Sequence, residues 1–363
     1  MEKFTEIFVD CTSDGTKIPK DEYLEFGKNI IIDQGNNIIA GYTDNDDGLY
    51  TDVPAIIFGD HTRIVKYVDR PFFLGADGVK LLKSKKDGAN YKYLYYALKN
   101  ARIPDTGYNR HFKWLKEILI PYPNITRQKK IVTILDKLSS IIEKRKTELD
   151  YFDTLIKARF VELFGDPAHN ERGWETLPVE KICKEIFGGG TPSKSHPEYY
   201  ENGDIPWVSS KDMKSDVITD SQIHINRLGV DNSTARMVPI NSVIMVIRSG
   251  ILKHTLPVAI NSVPITVNQD LKVFIPNEKV LTRFMATQFK MLERDILSGV
   301  RAVTADNIEF NSLKQRNMIV PPIKLQKEYV SFLEQVDKSK VAVQKALDET
   351  QLLFDSLMQE YFG

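Results

Sequence analysis

The sequence predicts an α+β chain: two mixed α/β modules joined by two long antiparallel coiled-coil helices, arranged as a pseudo-two-fold internal duplication. Three observations predict it. First, residues 128–165 lie over residues 326–363 without a gap, at an offset of 198. Ten of those 38 positions are identical: Gln128, Lys129, Val132, Leu135, Leu149, Asp150, Leu155, Glu162, Phe164 and Gly165. Second, both copies carry an apolar heptad seam. Third, each copy follows a stretch of short, β-branched patches bounded by Gly, Asn and Asp, the pattern of strands and turns. A repeat of this kind sets the architecture before any element is assigned.

Four segments follow in order: a module at 1–120, a helix at 121–165, a second module at 166–318 and a second helix at 319–363. In the first module NIIID, NNIIAGY, VPAIIFGD and RIVKYV read as strands. NYKYLYYALKN then reads as a helix over about 90–100, with Tyr91, Leu94, Tyr95 and Leu98 at three-to-four spacing. ILIPYPNITRQKK leads into the first long helix and MIVPPIKLQKE into the second. With Gln128 as position a, the first seam is Ile131, Leu135, Leu138, Ile142, Leu149, Phe152 and Ile156, interrupted by Arg145 and Arg159. The second is Tyr329, Leu333, Val336, Val343, Leu347, Phe354, Leu357 and Tyr361, interrupted by Lys340. Because the offset preserves heptad phase, the two seams can pack on each other. Residues 121–165 carry +3 and residues 319–363 carry −2, so the charges also complement. At 1.5 Å per residue such a helix is about 57 Å long and acts as a strut. The second module opens with the linker-like GDPAHNERGWETLP and contains the strand-like SVIMVIRSG and LKVFIP. Module, strut, module, strut places the modules at opposite ends of a rod.

Composition is that of an ordinary globular protein, with 27% charged and 42% hydrophobic residues. No apolar run approaches the roughly 20 residues that span a bilayer. The acidic MEKFTEIFVD lacks a signal-peptide pattern, so the expected location is the cytoplasm. Cys11 and Cys183 lie far apart and make no metal-ligand spacing. Net charge is zero, but it is uneven: residues 1–79 hold 7 Lys/Arg against 15 Asp/Glu, while residues 80–116 hold 10 against 2. Local positive charge of that density suits a phosphate backbone, although a solvated helix face carries the same signature.

Two readers at a fixed separation suit a two-part DNA target, and a rod of this length covers on the order of 15 base pairs. The motifs then resemble, over essentially the whole chain, the specificity (S) subunit of type I restriction–modification systems. GWETLPVEKICKEIFGGGTPSKSHPEYYENGDIPWVSSKDM at 173–213 resembles the opening of many target-recognition domains of that family. IIDQGNNIIAGY, IIFGDHTRIVKYVDRPFFLGADGVKLL and GYNRHFKWLKEILIPYP resemble another variant, and PYPNITRQKKIVTILD, PPIKLQKEYVSFLE and LFGDP are similar to the family's helix starts and ends. The first module lacks the Trp…GGTPS opening of the second, which implies different subtypes and unrelated half-sites. The resemblance implies a non-catalytic reader of double-stranded DNA. It would bind two adenine-specific methyltransferase (M) subunits and, in the complex that cleaves unmodified DNA, restriction motor-nuclease (R) subunits. S-adenosylmethionine, ATP and Mg²⁺ are then used by those partners, with no cofactor or metal bound here.

Candidate DNA contacts in the first module are Asp60, His61 and Arg63 in GDHTR, and Tyr108, Asn109, Arg110, His111 and Lys113 in GYNRHFK. Arg to guanine and Asn to adenine are the usual bidentate pairings. Lys80, Lys83, Lys85 and Lys86 suit phosphates. In the second module Thr191, Ser193 and Lys194 follow a glycine run that would let amides approach phosphate. Ser209 and Lys211 follow a strand in which Trp207 reads as core. Arg248, Asn268 and Gln269 lie near strand ends, and Arg301 holds the place that GYNRHFK holds in the first module. His111 equally reads as a packing histidine, and the glycine run as a flexible loop.

Two other functions remain open on sequence: a fused restriction–methylation enzyme or a fragment of one, and a scaffold whose modules bind proteins. Against an enzyme, the chain's one Pro-Pro, Pro321-Pro322, is followed by Ile, so there is no methyltransferase Asn/Asp-Pro-Pro-aromatic motif. A P-loop and a metal-type histidine cluster are likewise missing from the sequence.

Overall fold

The computed structural model describes residues 1–75, 78–107, 109–299 and 307–363, and the backbone of 301, 302 and 306. It folds as two compact units, Met1–Glu148 with Val343–Gly363, and Leu149–Ala342. Two long helices, Ile125–Phe164 and Ile323–Phe362, each contribute to both units. Their bounds differ by the same 198 positions as the sequence repeat. Among the described residues no helix is long and apolar enough to cross a membrane.

In the first unit the strands are β1 (Glu2–Lys3), β2 (Phe8–Asp10), β3 (Asn29–Ile32), β4 (Gly41–Thr43), β5 (Ala55–Gly59), β6 (Val65–Val68), β7 (Phe72–Leu74), β8 (Val79–Ser84) and β9 (Leu119–Ile120). They form one sheet in the order β2-β8-β5-β6, a second in the order β4-β3-β7, and the pair β1-β9. β5 is buried along its whole length, as a central strand flanked by β6 and β8 should be. A helix follows at Tyr91–Lys99, capped by the Asn90 side chain accepting from Tyr93 N at 3.1 Å. Its buried residues are Tyr93, Leu94, Tyr96, Ala97 and Leu98, while of the periodic positions Tyr91, Leu94, Tyr95 and Leu98 the two tyrosines are only half-buried. Tyr93 turns inward because its hydroxyl donates to Pro121 O at 2.7 Å and its ring meets Phe362 at 5.2 Å.

The second unit contains β10 (Thr176–Pro178), β11 (Cys183–Gly188), β12 (Ile205–Val208), β13 (Val217–Ile218), β14 (His224–Ile225), β15 (Val243–Val246), β16 (Val258–Asn261), β17 (Thr266–Val267), β18 (Leu271–Pro276), β19 (Arg301–Ala302), β20 (Asp306–Asn307) and β21 (Asn317–Ile319). The orders β11-β18-β15-β16-β13, β14-β12-β17 and β10-β21 repeat the frame of the first unit, with β13 added at one edge. In both three-stranded sheets the middle strand pairs antiparallel with one neighbour and parallel with the other. The duplication therefore includes the modules, where the sequences do not visibly repeat.

The long helices run antiparallel. In the first unit Ile131, Leu135 and Ile142 are buried and Leu138 half-buried on one helix. Leu347 and Phe354 are buried on the other, and Val343 and Leu357 half-buried. In the second unit Leu149, Phe152 and Ile156 are half-buried and Leu333 and Val336 buried. The interrupting cations find partners. Arg145 donates to Ala346 O and Thr350 Oγ1, Arg159 pairs with Glu328 at 2.7 Å, and Lys340 pairs with Asp153. Such exposed pairs stabilise by about 0–1 kcal/mol. Phe160 and Phe164, fully buried against Phe284 and Tyr329, contribute up to about 3 kcal/mol each, so apolar burial outweighs the ion pairs.

Candidate nucleic-acid interface

In the first unit the β5–β6 turn is closed by Arg63 N donating to Gly59 O at 2.7 Å, with Arg63 in the left-handed region at φ +62°. The guanidinium reaches Asp105 at 2.8 Å and ties the turn to the loop before the first long helix. The Gly107 N–H and Arg63 hold the Asp105 carboxyl below the usual carboxylate range. Asp60 is the anchor of this arrangement: its carbonyl accepts from His111 N at 2.8 Å and its carboxylate from Phe112 N at 2.7 Å. The same carbonyl lies 3.0 Å from His111 Nδ1, and a carbonyl only accepts, so Nδ1 carries the proton. Nε2 is left to accept from Thr106 Oγ1 at 3.3 Å. Asp60 and His111 are buried, so they hold the loop and present nothing to solvent. His61 is half-buried, with its backbone N–H donating to Gln34 Oε1 at 3.2 Å. Asn109 donates to Thr106 O, while Arg110 and Lys113 are exposed, the latter 5.1 Å from the Trp114 ring centroid. Arg110 has no ion-pair partner among the described residues. Tyr108 lies outside them.

The lysines of the basic stretch do not join that loop. Gly59 pairs with Val79 at one end of β8, whereas Lys83, Lys85 and Lys86 lie at or beyond the other end, on the order of 17 Å away. They are also engaged: Lys83 with Asp52 at 2.8 Å and Pro54 O at 3.1 Å, Lys85 with Thr5 O at 2.8 Å, Lys86 with Glu2 at 2.7 Å. Lys80 pairs with Asp10 at 2.9 Å, and this bond and those from Thr12 outweigh burial and lower the Asp10 carboxyl. The picture of a free cationic stretch is thereby corrected. The acids of residues 1–79 neutralise much of it, because folding lays the N-terminal strand and the β4–β5 connection along β8.

In the second unit the sheet register brings four loops to one end. Gly188 pairs with Lys272 and Val246 with Leu271, so the residues after β11, after β15 and before β18 meet. Asn268 N donates to Val208 O at 2.9 Å and adds the segment after β12. Thr191, Ser209, Arg248, Asn268 and Gln269 thus converge. Thr191 donates to Gln269 Oε1, Arg248 pairs with Asp270 at 2.6 Å, and Asn268 Nδ2 donates to Asp270 at 3.1 Å. Asn268 is buried. Ser209 closes a turn onto Asp212 at 2.8 Å. Ser193, bonded to Ser195 at 2.7 Å, and Lys194 and Lys211 are exposed on the loops leading away. Arg301 lies on β19, and its side chain is outside the described residues. The backbone following it docks as the first unit's loop does: Ile308 N donates to Ile247 O at 2.8 Å, as His111 N does to Asp60 O.

The glycine run serves packing. A Cβ on Gly189 would lie 1.9 Å from Val267 O and one on Gly190 2.2 Å from Thr234 C, and the Gly190 N–H is taken by Val267 O at 3.0 Å. The Gly190 amide is therefore not open to a phosphate, which corrects that expectation at this residue. Trp207 is buried with its Nε1 on Gly190 O, as a core residue. Sequence reasoning missed Asp270, Lys272, Phe310 and Lys314, which lie among the converging loops. The signal was a lysine within the apolar strand LKVFIP. Among the described residues no cluster of His, Cys, Asp and Glu is placed to hold a metal ion.

Comparison with known proteins places relatives beside this geometry. The type I restriction modification DNA specificity domain family matches residues 4–151 and 171–350. The Escherichia coli type I restriction enzyme EcoR124I/EcoR124II specificity subunit is 32% identical over 330 residues, covering 85% of this chain and 79% of that protein. The MjaIX specificity subunit of Methanocaldococcus jannaschii is 24% identical over 300 residues, covering 75% and 68%. In fold, the chain is similar to the crystal structure of a type I restriction-modification S subunit from M. genitalium. The TM-score is 0.64 at 17% identity, covering 100% of this chain and 95% of that one. A chain from a structural study of assembly of the type I R-M system gives a TM-score of 0.57 at 14% identity, covering 99% and 95%.

Proposed function

The chain belongs to the type I restriction modification DNA specificity family, and from that premise we propose that it reads a two-part duplex target and directs methylation of one adenine in each half-site. Each module contacts one half-site, and the two long helices set the unread gap. The methyl transfer belongs to two methyltransferase subunits, which hold S-adenosylmethionine. Restriction, with ATP and Mg²⁺, belongs to motor-nuclease subunits. The chain's own residues bind and position DNA. In the first module Arg110 and Asn109 face the bases from the loop that Asp60 and His111 hold. In the second, Arg248, Gln269 and Thr191 do so from converging strand ends.

One observation carries this reading. The same sheet frame recurs in both units, with a different set of polar side chains at the same end of it: Arg63, Asn109 and Arg110 in one, Thr191, Arg248 and Gln269 in the other. A conserved frame with exchanged tips fits two readers of unrelated sequences, because base edges are read by a few side chains while the frame only positions them.

The test is to map methylated adenines by direct long-read sequencing of the host genome with this gene intact and deleted. Disappearance of one two-part motif with a gap of fixed length supports the reading and yields the target. A motif that persists unchanged in the deletion strain overturns it.

A further inference from the structure

Lys272 is half-buried on β18 and has neither a carboxylate nor a hydrogen-bond acceptor among the described residues. Burial and a neighbouring cation oppose its charge, and only a ring favours it. The ammonium lies 4.8 Å from the centroid of the Phe310 ring, and the Lys314 ammonium lies 5.1 Å from the same ring. Arg248 is the further cation of the cluster. Asp270, the carboxylate nearest in sequence, is taken by Arg248 at 2.6 Å and by Asn268 at 3.1 Å. Burial first, and then the neighbouring Arg248, lower the affinity of Lys272 for its proton. Gly188 makes the arrangement possible: a Cβ there would lie 2.3 Å from Lys272 Nζ.

A ring stabilises an ammonium by about 0.5–2 kcal/mol, less than it costs to withdraw one from water without a counter-charge. Among the described residues, the group this cluster lacks is an anion. The cluster lies at the end of the sheet where Thr191, Arg248 and Gln269 converge, so the anion arrives together with whatever those residues read.

On the reading of this module as a DNA reader, we infer that Lys272, assisted by Lys314, clamps one backbone phosphate of the second half-site. The lysine is a positioning group for the duplex, and the Phe310 ring lies beside both ammonium groups. A phosphate contact fixes register without specifying a base.

The experiment uses the chain assembled with its methyltransferase subunits and a duplex oligonucleotide carrying the motif recovered by methylation mapping. Affinity is measured across a salt series for wild type, Lys272→Met, Lys272→Arg and Lys314→Gln. Lys272→Met is expected to weaken binding on the order of tenfold and to reduce the slope of log K against log salt by about one. Lys272→Arg is expected to restore both, and all variants to methylate the same motif. Because Lys272→Met removes an unpaired half-buried charge, the free variant should melt no lower than wild type, which separates lost contact from lost fold. Unchanged affinity and slope in Lys272→Met and Lys314→Gln overturn the clamp. A change of bases in the methylated motif also overturns it, in favour of base reading by Lys272. If wild type itself binds duplex without salt dependence, the failure lies with the DNA-reading function, and the clamp falls with it.

Discussion

Gln128 and Gln326, 198 positions apart, make the same bond: each donates from Nε2 to the carbonyl of the proline five residues before it, Pro123 and Pro321, at 2.8 Å. Both glutamines are buried at the first turn of a long helix. They tie the extended proline segment to the helix it leads into. Beyond that bond they differ. Gln326 accepts from Leu281 N at 2.9 Å and also donates to Lys279 O at 3.0 Å, whereas Gln128 Oε1 is buried with no partner among the described residues.

Replacement by methionine, of similar size, should therefore cost unequal amounts. Gln326→Met strands several buried groups at about 1–3 kcal/mol each, and Gln128→Met strands one. Denaturant unfolding followed by hydrogen exchange is expected to show the larger loss in the second unit. Equal losses would mean that the extra bonds of Gln326 carry no weight.

The aromatic ends of the long helices give a second contrast. Phe164 is fully buried against Phe160, Phe284 and Tyr329, while Phe362 keeps a trace of exposure and meets Tyr93. Phe164→Ala is expected to cost roughly 3–5 kcal/mol and Phe362→Ala less, read as thermal stability of the full chain.

Arg110 and His111 are neighbours with opposite duties. Arg110→Ala should leave the melting temperature unchanged and weaken duplex binding by the assembled complex. His111→Ala removes the side-chain bonds to Asp60 O and Thr106 and should lower stability by about 1–3 kcal/mol. If Arg110→Ala binds duplex as wild type does, the first module reads DNA elsewhere.

Lys272 also makes a pH prediction. Its proton affinity is lowered in the fold by burial and then by Arg248, so the unfolded chain holds more protons than the folded one in the window between the two lysine values. Stability contributed by this site therefore rises with pH through that window, up to the ordinary lysine value of about 10.4. The difference in unfolding free energy between wild type and Lys272→Met, followed from pH 7 to 10, should shrink as pH rises. A constant difference would remove the depressed lysine from the account.

Much of this was legible in the sequence. The 198-residue offset located both long helices because a helix is a local structure and a heptad seam is written in residues a few positions apart. Every apolar seam position named from the sequence is buried or half-buried. The strand patches of both modules were legible for the same reason, since burial on a pleated sheet leaves β-branched runs. Trp207 and His111 could be suspected of packing roles from type alone.

What the sequence could not supply depended on register between distant segments. Lys83 and Lys86 look free in a basic run, yet Asp52 and Glu2 come from segments that only strand pairing brings alongside. The glycine run looks like a phosphate cradle, but the Gly190 amide and the missing side chains of Gly189 and Gly190 answer to Val267 and Thr234, some 40 to 80 residues away. Asp270, Lys272 and Phe310 carry no motif, and they became a cluster because β11, β15 and β18 end together. The sequence alone determined the duplication, the helices and the family, since those are short-range patterns repeated along one chain. Tertiary structure alone decided which charges are spent inside the fold and which remain for a partner, because pairing a charge is a matter of distance in space.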